Sequence, residues 1–242
     1  MNIFQLVKFN IWSVLKSLST YLGLALVLVI PLFYTITKIN NDAKISGENI
    51  LTIAVWLFCF WGIILVTSTL TRDISQGTAQ LYLNSFGNRI RYFIAQAITI
   101  FIIGILITLA LLTYTFIMQS ISGGDSISNK FIWRLVGIYT LQFLFYGLFL
   151  MLITLLLKNS SLVFSIAVFL MLIIPIATNL IPLIPEYGEN IKDILKYVPF
   201  NFLVDEIWTG SLNLNGWQIF SAVSSICLLI ILNLFTICRR DY

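Results

Sequence analysis

The chain has 242 residues, 59% of them hydrophobic and only 10% charged, with a mean hydropathy of +0.98. Soluble domains carry roughly 25% charged residues, so this composition excludes a soluble domain and calls for a bilayer to receive the apolar surface. Its 14 Lys and Arg outnumber 10 Asp and Glu, and with no histidine the chain has no His-based triad, His-ligated zinc or His proton relay.

Residues 1–17 come first and put Ile3, Phe4, Val7, Ile11, Val14 and Leu15 on one helical stripe, with Gln5, Lys8, Trp12 and Lys16 on another. This predicts a helix lying in the membrane interface, the alternative being the start of a long, tilted first span. After it, charge-free intervals mark the spans, because a charge at the bilayer centre costs at least ~2.5 kcal/mol. Six intervals exceed the ~20 residues needed to cross. They lie between Lys16 and Lys38, Glu48 and Arg72, Arg91 and Asp125, Arg134 and Lys158, Lys158 and Glu186, and Glu206 and Arg239. The expected spans are 18–37, 50–70, 93–118, 135–157, 162–184 and 217–237. Short polar loops fall at 38–49 and at 119–134, the latter with Gly123-Gly124-Asp125. A longer segment, 185–216, follows Pro182 and Pro185 and predicts a short amphipathic helix over Asn190–Tyr197, then an interfacial or re-entrant stretch over Pro199–Trp208. The fold class is therefore an all-α polytopic membrane protein in one domain, 1–242, with an interfacial helix at 1–17 and a helical insertion between the fifth and sixth spans.

An even number of spans puts both termini on one side, and charge selects it. With the termini inside, the inner segments hold eight basic residues, among them Arg72, Arg89, Arg91, Arg239 and Arg240, and two acids. The outer segments hold six basic residues and eight acids, so the bias favours cytoplasmic termini in the cell membrane. Trp12 at the inner boundary and Trp133, Trp208 and Trp217 at the outer one suit interfacial indoles. Cys59, Cys227 and Cys238 have no paired spacing and read as packing residues. No acid falls within an expected span, which argues against an ion-coupled pump that buries a carboxylate where its ion binds. No GxxxxGK[ST] loop occurs either, so any ATP that drives this protein is bound by another chain.

Residues 71–91 are the most informative polar stretch: Asp73, Gly77-Thr78, Leu81 and Leu83, then Phe86-Gly87 and Arg89. The stretch is long enough for a helix of two or three turns ending at a Gly-Asn turn. Here the chain resembles the membrane component of type-2 bacterial ABC exporters, in which an acid, a Gly-Thr pair, an apolar segment and a Pro-containing turn ending in a basic residue follow the second span. Asp73 stands where that family more often has Glu, and Phe86-Gly87 where Pro is common. The N-terminal helix, six spans, outer helical insertion and basic ending fit the same resemblance.

The resemblance implies that Asp73, Gly77, Thr78, Leu81, Phe86, Gly87 and Arg89 form an ATPase-coupling element. It implies as partners a cytoplasmic ABC ATPase dimer, which binds ATP and Mg, and a second permease subunit, the same or homologous. Membrane lipids and a peptide substrate complete the expected partners; nucleic acid is not one, no cofactor is expected in this chain, and the chain is not itself an enzyme. Small outer loops are similar to permeases exporting phenol-soluble modulins or conferring lantibiotic immunity, and the Ile-, Phe-, Lys- and Asn-rich usage suits a low-GC Gram-positive source. Two alternatives stand: a non-transporting immunity or sensor protein that binds a peptide, and an exporter of ions or small drugs. Gln96, Gln142, Thr178, Asn179 and Asn233 read equally as path-lining residues and as interhelical contacts.

Overall fold

The computed structural model describes residues 2–41, 44–78, 83, 85–181 and 188–239. Every regular element among them is a helix: α1 (Ile3–Lys16), α2 (Leu18–Asn40), α3 (Gly47–Ser75), α4 (Phe86–Ser122), α5 (Asn129–Leu157), α6 (Ser160–Leu180), α7 (Gly188–Leu195), α8 (Pro199–Thr209) and α9 (Gly216–Arg239). Of these, α2, α3, α4, α5, α6 and α9 are long and apolar enough to cross a membrane, so the protein is a multi-pass helical membrane protein.

Helix starts follow from short polar side chains. Asn2 Oδ1 accepts from Phe4 N at 3.0 Å, Ser128 Oγ from Phe131 N at 3.3 Å, and Asn159 Oδ1 from Ser161 N at 3.1 Å. Each satisfies an N–H that the first helical turn leaves without an internal partner. Helix ends are set by caps rather than by where the apolar run stops. Thus α4 extends from Phe86 to Ser122 and ends at the left-handed Gly123, beyond the 93–118 that hydropathy predicts. α6 runs to Leu180, and the expected end at 184 lies outside the described residues, as do Pro182 and Pro185.

Ser17 is extended, with ψ 127°, and separates α1 from α2. The two are distinct helices, which removes the alternative of one long tilted span. Thr20 Oγ1 and Tyr21 Oη reach back across the break to the carbonyls of Val14 and Leu15, each at 2.7 Å. α1 packs mainly against α4. Four residues of the expected stripe, Ile3, Val7, Ile11 and Val14, pack against the core together with Leu6 and Asn10, whereas Phe4 and Leu15 at its edge are exposed. The Asn10 amide enters a polar cluster described below.

At the centre of the bundle stands α3, flanked by α2, α4, α5, α6 and α8. Burial identifies it, since 67% of its most apolar stretch is covered, against 17% for α2 and 22% for α9. Close approach of α3, α4 and α5 rests on missing side chains. A Cβ at Gly62 would lie 2.4 Å from Phe143 Cζ, and one at Gly147 would lie 2.4 Å from Ile100 Cγ2. Small residues at such crossings let backbones approach and recover dispersion contacts where lipid offers no hydrophobic drive.

Between α6 and α9 the chain forms two short helices: α7, near the amphipathic helix expected over 190–197, and α8, over the stretch expected to be interfacial or re-entrant. α7 is mostly exposed, while α8 buries Asn201, Phe202, Leu203, Val204 and Ile207 against α3, α5, α6 and α9. Phe200 sits edge-on among Phe145, Tyr146 and Phe149, in the middle of α5, and Tyr146 Oη donates to Phe200 O at 2.7 Å. Trp208, at the other end of α8, packs edge-on against Trp56 of α3 at 4.6 Å. α8 is therefore a piece of the bundle, inserted from the end where α3 and α5 begin.

Candidate functional site

The polar stretch between α3 and α4 is where sequence places the function. α3 continues through Asp73 to Ser75 and closes with Gln76 N on Arg72 O at 2.9 Å and Gly77 N on Ile74 O at 3.1 Å. Gly77 has φ +68°, a left-handed value at which an added Cβ crowds its own carbonyl, and that alone calls for glycine here. α4 starts at Phe86. Of the segment 71–91 in which a coupling helix is expected, 71–75 belong to α3, 76–78 form a turn and 86–91 belong to α4. Residues 79–82 and 84 lie outside the described residues.

Asp73 is the reason α3 runs on. Its carboxylate is buried and accepts from Tyr92 Oη at 2.9 Å and Gln96 Nε2 at 3.1 Å, both on α4, with Arg72 Nη2 at 3.4 Å. Arg72 turns its other donors to α1, to Asn10 Oδ1 at 2.6 Å and to Ser13 Oγ, and its guanidinium lies 4.9 Å from the Phe9 ring. Asn10 closes the circuit by donating to Gln96 Oε1 at 3.4 Å and Thr99 Oγ1 at 3.3 Å. Three helices are thus joined through one buried ion pair whose oxygens are shared among several donors, the condition under which burial of charge is tolerated.

The expected coupling residues divide into two groups. Asp73 points inward, and with it Thr78, whose Oγ1 donates to Asp73 O at 3.3 Å, and Arg89. Arg89 donates to Leu83 O at 3.0 Å and to Cys238 O at 3.0 Å, so it holds the last turn of α9. Gly77, Phe86 and Gly87 face outward, Phe86 with 64% of its surface exposed. Leu81 lies outside the described residues. Asp73 therefore cannot contact a partner directly in this arrangement; it anchors the turn that bears Gly77.

A protein-family profile described as "Protein of unknown function (DUF2705)" matches residues 21–242. The chain belongs to that family. Within the DUF2705 match fall Arg72, Asp73, Tyr92 and Gln96, while α1, with Asn10, precedes it. No curated protein matches the chain.

The remaining polar candidates of the DUF2705 chain are interhelical or local contacts. Gln96 belongs to the Asp73 cluster, Thr178 bonds Asn201 of α8, Asn179 Nδ2 donates to Pro175 O at 2.8 Å, and Asn233 Nδ2 donates to Leu148 O at 3.0 Å. Gln142 Nε2 reaches only Met171 Sδ, at 3.6 Å, and its Oε1 has no partner. Near the end of α8, burial and then the neighbouring Glu206 hold the Asp205 carboxyl above its usual range, with Lys192 opposing. Sequence reasoning missed Asn10 and Tyr92 as parts of the cluster. Asn10 carried a signal, being an amide at the centre of an otherwise apolar helix face; Tyr92 carried none.

Proposed function

We propose that this chain is the membrane-spanning permease subunit of an ATP-driven exporter in the cell membrane, with both termini in the cytoplasm, and that it moves amphipathic or antimicrobial peptides outward. The observation that supports this reading best is the α3–α4 junction. The turn bearing Gly77 follows directly on the Arg72–Asp73 pair tied to α1, α3 and α4, and the exposed Phe86 and Gly87 open α4. A soluble partner pressing on that turn meets a rigid base, so its movement passes to three helices together instead of being lost in a loose loop. Charge bias supports the turn facing the cytoplasm, where an ATPase dimer binds ATP and Mg, and a second permease subunit completes the path.

Affinity purification of the tagged chain from native membranes tests this. A cytoplasmic ABC ATPase should co-purify, and in liposomes its activity should rise with amphipathic peptides. A chain that purifies without any ATPase, yet retains a peptide, is a non-transporting immunity or sensor protein, and the permease reading fails.

A further inference from the structure

We propose that the first turns of α5, with the 212–219 segment opposite, form a binding groove for an anionic phospholipid of the adjoining leaflet. Lys130, Arg134, Gly137 and Leu141 stand at i, i+4, i+7 and i+11, so a single stripe of α5 carries two cations, then a gap, then an apolar side chain. Leu214 and Ile219 face this stripe, and together they enclose a groove of about 720 Å³. That order of chemistry matches a phospholipid read from its phosphate down its acyl chain.

The cations are uncommitted. Among the described residues neither Lys130 nor Arg134 has a hydrogen-bond or ion-pair partner; the salt bridges there join Arg72 to Asp73 and Lys196 to Asp193. Glu48 and Glu206, in flanking segments, are engaged elsewhere. Glu48 Oε1 accepts from Ser128 Oγ at 3.0 Å, and Glu206 Oε2 accepts from Asn213 N at 3.0 Å, the latter shaping the far wall of the groove. Trp133, between the two cations, is 75% exposed, as an indole at the headgroup boundary would be. Two cations one turn apart can share the non-ester oxygens of one phosphate, and basic pockets beside membrane helices recognise anionic headgroups in this way.

Below the cations the groove is apolar, which separates a lipid from a free anion. A Cβ at Gly137 would meet nothing within 4 Å, so the stripe has an open trough there, with Leu141, Leu214 and Ile219 as its walls. A soluble phosphate would leave that trough empty, whereas an acyl chain fills it and gains from its burial. The inference does not depend on the exporter reading.

The test uses the purified full-length chain, stripped of lipid and offered equal dioleoylphosphatidylglycerol and dioleoylphosphatidylcholine, with retained lipid counted by native mass spectrometry. Phosphatidylglycerol should be retained preferentially, and Lys130→Gln/Arg134→Gln should weaken it on the order of tenfold. Lys192→Gln/Lys196→Gln, which removes exposed cations outside the groove, should leave retention unchanged. Gly137→Leu should fill the trough and lower retention of both lipids with no change of charge. Equal retention of the two lipids, or indifference to the Lys130/Arg134 pair, overturns the proposal. Displacement by glycerol 3-phosphate at the same concentration makes this a free-anion site, and an acidic amphipathic peptide that binds the groove where phosphatidylglycerol does not makes it a peptide site; either result overturns the lipid assignment.

Discussion

A carboxylate at the end of α3 is tolerable because Tyr92, Gln96 and Arg72 donate to it, and single changes there are costly for that reason. Asp73→Asn keeps the shape but removes the charge, leaving Arg72 half-buried and unbalanced beside Tyr92 and Gln96. The expected loss is about 1.5–3 kcal/mol, read as a lower unfolding temperature in detergent. Arg72→Met with Asp73→Leu should recover only the part due to the unbalanced charge, because Tyr92 Oη and Gln96 Nε2 then lose their acceptor and Asn10 Oδ1 its donor; losses that simply add would show that the two side chains do not act together. Gly77 answers to backbone geometry. No neighbour lies within 4 Å of its would-be Cβ, so the cost of Gly77→Ala comes from φ, about 1–2 kcal/mol, and Gly77→Asn should cost less because Asn tolerates the left-handed region. If Gly77→Asn preserves chain stability yet abolishes association with an ATPase, the site acts in docking; if association follows stability across both variants, its role is confined to the turn.

Elements are held by tight crossings and by the insertion of α8. Gly62→Val must displace the Phe143 ring, an overpacking cost of about 1–3 kcal/mol, and Phe143→Ala in the same chain should restore much of the loss. Failure of that rescue would mean the α3–α5 crossing is not limited by this pair. At α8, Tyr146→Phe strips the donor from Phe200 O while leaving the aromatic cluster intact, so a destabilisation of about 0.5–1.5 kcal/mol is expected, with faster amide exchange confined to residues 199–209. Arg89→Ala should likewise speed exchange in the last turn of α9, whose Cys238 carbonyl it holds. An unaltered α9 would return Arg89 to the role of a topology marker.

For the whole molecule the open quantity is orientation, and the two ends of the bundle offer exposed serines to read it. In a background carrying Cys227→Ser and Cys238→Ser, with Cys59 buried, Ser75→Cys and Ser126→Cys lie at opposite ends of the helical bundle. An impermeant maleimide should label Ser126→Cys in intact cells and Ser75→Cys only after permeabilisation. The reverse pattern inverts the topology and removes the charge argument that sets the α3–α4 turn in the cytoplasm.

What the sequence determined by itself was the number and approximate place of the six apolar helices and a short helix near 190–197. Those properties follow from a solvent effect that each segment feels alone: a charge is expelled from hydrocarbon whatever its neighbours, and an apolar run of sufficient length must be received by lipid or by protein. Tertiary structure decided the rest. The burial of Asp73 was not legible because its donors Tyr92 and Gln96 on α4, and Asn10 on α1, which accepts from the paired Arg72, are far from it in sequence and meet only when three helices pack. α1 keeps Ile3, Val7, Ile11 and Val14 of its expected stripe inward, but that the same face carries Asn10 to the partner of a buried carboxylate is decided by packing. The pairing of Gly62 with Phe143, and of Arg89 with the end of α9, likewise depends on which surfaces face each other, and hydropathy carries no information about that.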